Sequence, residues 1–139
     1  MRLTYVMALS SWGLGMGVLT SFSRLPWGVE FLLWGGAALA WIAVIHWREL
    51  APFVNGWATS LLAGTLFGAI RGLLQGWIRT TDPLLAESLP PTMPGAAVAL
   101  LSQGAVAGFL AGILVGGLAL ALSFRSAGPP STRRTGGLD

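Results

Sequence analysis

The chain has 139 residues, of which 54% are hydrophobic and only 9% charged, with a formal net charge of +3. A soluble domain carries about 25% charged residues, and a domain this small leaves much of its surface in water, so a water-soluble globule is excluded. Disorder is excluded on the same grounds, because disordered chains are polar and charged; what remains is a membrane protein with room for four spans of about 20 residues each.

The first apolar run is Leu3 to Phe22, ended by Ser23-Arg24-Leu25-Pro26. Arg2 and the small residues Ser21 and Ser23 give it the outline of a signal peptide, but the run is longer than a signal's apolar region, so an uncleaved span is expected. Gly13, Gly17 and Ser21 place small residues on one face. Gly13-Leu14-Gly15-Met16-Gly17 is not a nucleotide loop, since no strand precedes it. The second run is Trp27 to Trp47, stopped by Arg48-Glu49, with Gly36 and Ala40 as a short small-residue pair. The third extends from about Val54 to Ile78, introduced by Pro52 and Asn55. A polar, Pro-rich stretch from Arg79 to Pro94 follows, in which Asp82 can cap and Pro83 can open a short helix. Leu84, Leu85 and Leu89 would then rest on the membrane surface. The fourth run is Gly95 to Phe124. At about 1.5 Å per residue each run crosses a hydrocarbon core of roughly 30 Å. None alternates as a transmembrane barrel strand must.

The expected fold is therefore an all-α integral membrane protein, one antiparallel four-helix domain over residues 1–124 with spans at about 3–22, 27–47, 54–78 and 95–124. Residues 125–139 form a basic, Pro/Gly-rich tail, read as solvated and drawn to anionic lipid, with a strap onto a partner subunit as the rival reading.

The strongest pattern is in the glycines. Gly64, Gly68, Gly72 and Gly76 recur at i+4 in the third run, and Gly104, Gly108, Gly112 and Gly116 repeat the spacing in the fourth. Glycine costs about 1 kcal/mol against alanine in an exposed helix, so these placements need a compensating reason. Lipid gives no hydrophobic drive for helix association, and small residues let backbones approach closely. A glycine zipper between the third and fourth helices is expected, with Gly72 facing Gly104, Gly68 facing Gly108 and Gly64 facing Gly112. In that register Arg71 and Gln103 fall on the same side, so Arg71 donates to the Gln103 carbonyl with Ser102 and Gln75 nearby.

Few residues offer chemistry. Arg71 is the ionisable group inside a span, where such residues are functional suspects; it either snorkels to the interface or holds an anion, a lipid phosphate or a carboxylate, with Asp82 and Glu87 as internal candidates. His46 is the sole histidine, and cysteine is absent, so no four-ligand protein metal site can be built; a single imidazole could still serve as axial ligand to haem or chlorophyll. Trp27, Trp47, Trp57 and Trp77 sit near span ends as interfacial anchors. Trp27, Trp34 and Trp41, spaced i, i+7, i+14, form a stripe for a neighbouring helix, lipid or a flat pigment. No nucleophile–base set, paired carboxylates or phosphate loop is present, and no basic stripe suggests nucleic acid.

The expectation is a non-enzyme that requires no cofactor. Its leading reading is an accessory, structural or assembly subunit of a larger membrane complex, photosynthetic or respiratory, with lipid and other membrane subunits as partners and homo-oligomerisation open. The rivals are a small oligomeric channel or carrier with Gly-lined helices and Arg71 in the pathway, and a pigment- or haem-binding subunit using His46. Arg2, Arg48, Arg125, Arg133 and Arg134 against Arg24 and Arg79 place both termini in the cytoplasm, in a bacterial inner or photosynthetic membrane.

Overall fold

The computed structural model describes residues 3–48 and 51–126; Arg2, Glu49 and the tail with Arg133 and Arg134 lie outside the described residues. The elements are α1 (Leu3–Phe22), α2 (Trp27–Trp47), α3 (Pro52–Leu73), α4 (Gln75–Thr81), α5 (Pro83–Ser88) and α6 (Met93–Ser126). α1, α2, α3 and α6 are long and apolar enough to cross a membrane. The fold is all-helical with four candidate spans, running alternately up and down. One end of the bundle, the loop end, carries the α1–α2 connection and the segment from Leu74 to Thr92; the other, the tail end, carries Tyr5, Arg48 and Arg125.

Proline sets two of the starts. Pro26 precedes α2 and its carbonyl accepts from Val29 and Glu30 N–H at 2.9 and 3.1 Å. Pro52 is the first residue of α3, where its missing N–H is no loss. Asp82 caps α5 by accepting from the Leu85 N–H at 3.2 Å, and Pro83 opens that helix.

The third span is shorter than the apolar run. It stops at Leu73, and Leu74 turns the chain into α4, with the Leu74 N–H still bonded to Ile70 O at 2.9 Å. Two side chains then hold α4 against the start of α6. Gln75 Nε2 donates to Met93 O at 2.8 Å, and Arg79 Nη2 donates to Pro90 O at 2.7 Å. Continuing α3 straight on would carry Gln75, Arg79, Thr80 and Thr81 along the span axis without these partners. Leu89 is also displaced from its expected place on the membrane surface. It is buried with Ile78, Ala96 and Leu100 in a cluster under the loops, whereas Leu84 is exposed.

α3 is the centre of the bundle. Its most extensive contact is with α6 and its next with α1, while α2 touches α3 and α6 far less, and α1 and α2 barely meet. A Cβ added to Gly64 would collide with Gly104 O and stand 2.6 Å from Gly108 Cα, and one on Gly108 would stand 2.6 Å from Ser60 O. On the other side of α3, a Cβ on Gly13 would collide with the Ala63 carbonyl, and one on Gly17 would stand 2.8 Å from Ile70 Cβ. Backbone therefore meets backbone on both sides of α3, the close approach that small residues allow in a membrane.

The register between α3 and α6 differs from the expected one by one to two helical turns. Gly64 faces Gly104 and Gly108 instead of Gly112; Gly68 faces Leu100, Leu101 and Gly104 instead of Gly108; Gly72 faces Ala97 instead of Gly104. Gly112 and Gly116 meet Trp57 and Phe53, and a Cβ on Gly76 would meet nothing within 4 Å. The physical reason is the early end of α3. With the turn at Leu74 and α6 beginning at Met93, the two helices align from Leu73 rather than from Ile78, and Gly76 leaves the interface with α4.

Candidate functional site

The sparse packing of α2 leaves a chamber between it and the α3–α6 pair. Its volume is about 320 Å³, and its walls include Trp34 and Trp41 of α2, Ser60, Gly64 and Phe67 of α3, and Gly104, Ala107 and Gly108 of α6. The aromatic part is ordered by ring contacts. Trp34 meets Phe67 edge to face at 5.5 Å and 86°, and Trp41 at 6.5 Å and 73°, arrangements that aromatic quadrupoles favour. Ser60 is buried, and its Oγ has no hydrogen-bond partner among the described residues. An unpaired buried hydroxyl costs about 1–3 kcal/mol, which a ligand acceptor would relieve.

Glu30 stands at the loop end of the chamber and also lines a smaller polar pocket of about 50 Å³ with Thr20, Ser23, Arg24, Arg71, Thr81 and Asp82. Arg71 interacts electrostatically with Glu30 and Asp82, and its guanidinium carbon lies 5.3 Å from the centre of the Phe67 ring, a cation–π distance. Its Nε is buried without a hydrogen-bond partner among the described residues. The pocket is tied together by Thr81 Oγ1, which donates to Ser21 O at 3.2 Å and so links α4 to α1.

The residues singled out in the sequence fall into separate places. Arg71 does not meet Gln103, which is exposed on α6, as is Ser102, whose Oγ donates back to Val98 O at 2.7 Å. Gln75 is buried but bonds to Met93, and its Oε1 lacks a partner among the described residues. The shifted α3–α6 register explains the separation, because Arg71 is carried toward α1, α2 and α5. Of its expected acidic candidates, Asp82 is near and Glu87 is exposed on α5. The Trp stripe is divided: Trp27 is 81% exposed and stacks on Phe31 at 5.8 Å, whereas Trp41 is 5% exposed and faces the chamber. Trp34 and Trp41 thus pack within the bundle, with Phe67 of α3 beside Trp34, and Trp27 is the member of the stripe left to face lipid or a partner. His46 is exposed at the tail end, in a shallow groove with Leu39, Ile42, Ala43, Leu122 and Arg125.

Sequence reasoning missed Glu30, Ser60 and Phe67. Glu30 could have been found: it lies one turn into α2, at the same end of the bundle as Arg71, and a carboxylate and a guanidinium at one depth seek each other. Ser60 and Phe67 carry no signal of their own, since a serine and a phenylalanine in an apolar run are ordinary. Among the described residues, no group of three or more His, Asp or Glu side chains could hold a metal ion.

A second cavity, open to the surroundings and about 570 Å³, separates α1 from α2 and is lined by Ala8, Ser11, Trp12 and Gly15 on one side and Gly36 and Ala40 on the other. A Cβ on Gly15, Gly35 or Gly36 would meet nothing within 4 Å.

Comparison with known proteins gives one consistent likeness. The chain is 30% identical over 117 residues to the multidrug resistance protein MdtG of Serratia proteamaculans, an alignment covering 80% of the chain and 28% of the relative. MdtG of Klebsiella pneumoniae is 30% identical over 116 residues, covering 74% and 28%, and that of a Rahnella species 29% identical over 113 residues, covering 72% and 27%. The chain thus spans less than a third of the length of these relatives. No family model matches it, and no solved structure matches it. The four apolar helices and this likeness make the chain a polytopic integral membrane protein. Its relatives are named for drug resistance and not for an enzymatic activity.

Proposed function

We propose that the chain is the ligand-holding part of a membrane carrier for small apolar or amphipathic molecules, and not an enzyme. The chamber between α2 and the α3–α6 pair carries this reading. Its volume is at the lower end of the roughly 300–1,000 Å³ of ligand pockets, and its walls are aromatic and apolar with few polar groups, the usual composition of such sites. The likeness to multidrug resistance proteins supports it. Arg71 takes part at the loop end of the chamber rather than along a Gly-lined pore, because the glycines are consumed in helix contact. The distribution of Arg between the two ends supports cytoplasmic termini.

The test is uptake of an uncharged lipophilic dye by proteoliposomes containing the full chain, alone and with Ala107→Trp, which places a large ring in the chamber. Faster uptake than in empty liposomes, abolished by the substitution, is the expected result. Uptake equal to that of empty liposomes, or unaffected by Ala107→Trp, refutes the reading.

A second reading, a subunit of a larger membrane complex, is favoured by the groove between α1 and α2. Small residues on both walls, with two glycines, Gly15 and Gly36, where an added Cβ would meet nothing within 4 Å, suit another helix as occupant. Gentle solubilisation and mass spectrometry would find a stoichiometric partner; purification of the chain alone as a single species would refute it.

A further inference from the structure

The chamber and the polar pocket meet at Glu30, which lines both. They are also joined through Arg71, which borders the polar pocket while its guanidinium lies over Phe67, a ring of the chamber wall. The two spaces differ sharply in chemistry. Beyond Glu30 the polar side-chain groups of the chamber lining are the Ser60 hydroxyl and the indole N–H groups of Trp34 and Trp41, all uncharged, so a charged group entering it loses its hydration without an opposite charge to replace it. The pocket is lined by two guanidinium groups, Arg24 and Arg71, two carboxylates, Glu30 and Asp82, and three hydroxyls. The hydroxyl hydrogens of Thr20 and Ser23 are given to the carbonyls of Met16 and Leu19, and that of Thr81 is shared between the carbonyls of Ser21 and Trp77, leaving oxygen lone pairs free to accept. Arg71 Nε is a buried donor with no hydrogen-bond partner among the described residues.

We infer that the two spaces form one site for a zwitterionic amphiphile with a single apolar tail, the tail in the chamber, the anionic group on Arg71 and the cationic group on Glu30. The inference rests on the carrier reading and names the ligand class for it. Charge balance selects the head. Both signs are present in equal number, so a purely anionic head confronts Glu30 and Asp82, and a purely cationic head confronts Arg24 and Arg71; a head carrying both signs can set each of its two charges beside a wall group of opposite sign. The Arg71 guanidinium, which borders the pocket, donates to an oxygen of the anionic group, a charge-assisted bond. The lone pairs of Thr20 and Ser23 complete the surroundings of the cationic group beside Glu30. Chamber volume limits the tail to one chain.

The experiment is isothermal titration of the full chain, held in a fluorinated surfactant that does not compete for the chamber, with four probes sharing one dodecyl tail. These are dodecylphosphocholine, dodecyl phosphate, dodecyltrimethylammonium and the dodecyl ether of glycerol. Dodecylphosphocholine is expected to bind about tenfold or more tightly than the other three, the worth of one charge-assisted hydrogen bond. Glu30→Gln and Arg71→Gln should each remove that preference. Arg71→Lys keeps the charge but lacks the planar, multi-donor guanidinium, so it should lose most of the preference while leaving the bundle's charge balance intact. A charged probe that binds as tightly as dodecylphosphocholine, or a preference that survives Arg71→Lys and Glu30→Gln, overturns the inference. If the uncharged probe binds and Ala107→Trp abolishes its binding, the chamber stands and only the head-group assignment falls. If none of the four binds in a manner sensitive to Ala107→Trp, both readings fall.

Discussion

Gly104→Ala is the sharpest perturbation of the α3–α6 contact. The added methyl would collide with Gly64 O and lie 2.8 Å from both Cα and N of Gly68. All three obstacles are backbone atoms, so no side chain can swing aside. Ordinary carbon contacts need 3.5–4.0 Å, so the helices must separate by about 1 Å at this point. A gap of that size forfeits a quarter to a half of the attraction in each neighbouring contact, including those of Gly108 with Ser60 and Gly68 with Leu101. Overpacking of this kind costs about 1–3 kcal/mol. Gly76→Ala and Gly117→Ala are the controls, since a Cβ at either position meets nothing within 4 Å. There the gain in helix propensity should leave stability unchanged or raise it by up to about 1 kcal/mol. Unfolding by a graded mole fraction of dodecyl sulfate in mixed micelles, followed by circular dichroism, measures all three. Gly104→Ala unfolding at the same point as the controls would refute the close α3–α6 packing.

Trp34→Ala removes edge contacts with Trp41 and Phe67, and the same assay should show a loss of about 1–3 kcal/mol. Gln75→Ala removes the bond to Met93 O that ties α4 to α6, and amides in residues 75–81 should exchange about fivefold faster by hydrogen-exchange mass spectrometry. Gly36→Leu fills part of the α1–α2 groove without a clash, so it should leave unfolding unchanged within about 0.5 kcal/mol, while abolishing co-purification of any helix that docks there. His46→Ala should leave the visible absorption of the purified protein unchanged; a lost haem or chlorophyll band would instead make His46 an axial ligand.

The sequence made the spans legible because hydropathy is a property of whole runs and survives errors at the ends. The first two spans coincide with their apolar runs, Leu3–Phe22 and Trp27–Trp47. The third does not, because apolar character continues through Trp77 and Ile78 after the helix has turned at Leu74. What turns it is a pair of tertiary hydrogen bonds, Gln75 to Met93 and Arg79 to Pro90, that no local pattern announces. That one misplaced end propagated. It moved the α3–α6 register, and with the register went the expected meeting of Arg71 and Gln103. The site was less legible still, since its chamber is a space left between helices, and Ser60 and Phe67 matter only for where the packing of α2 leaves them.

That packing has a direction. The buried residues of α2 are Trp41, Ile42 and Ile45, all in its tail-end half, where Ile42 and Ile45 join Val115 and Ala119 of α6. The loop-end half holds to the bundle through Trp34, with Phe31 and Leu32 turned outward at 66% and 72% exposure. A helix anchored at one end and sparsely packed at the other opens first at the free end, because local opening follows the density of buried contacts. Glu30, the charged residue of the chamber lining, lies at that free end. Entry to the chamber therefore requires only the loop-end half of α2 to move away from Phe67, with the Ile42–Ile45 cluster intact, while the backbone contacts of α3 with α1 and α6 stay fixed. A crosslink between engineered cysteines at 34 and 67 should block probe binding, and one at 42 and 119 should not. Equal loss from both would mean that α2 moves as a rigid whole.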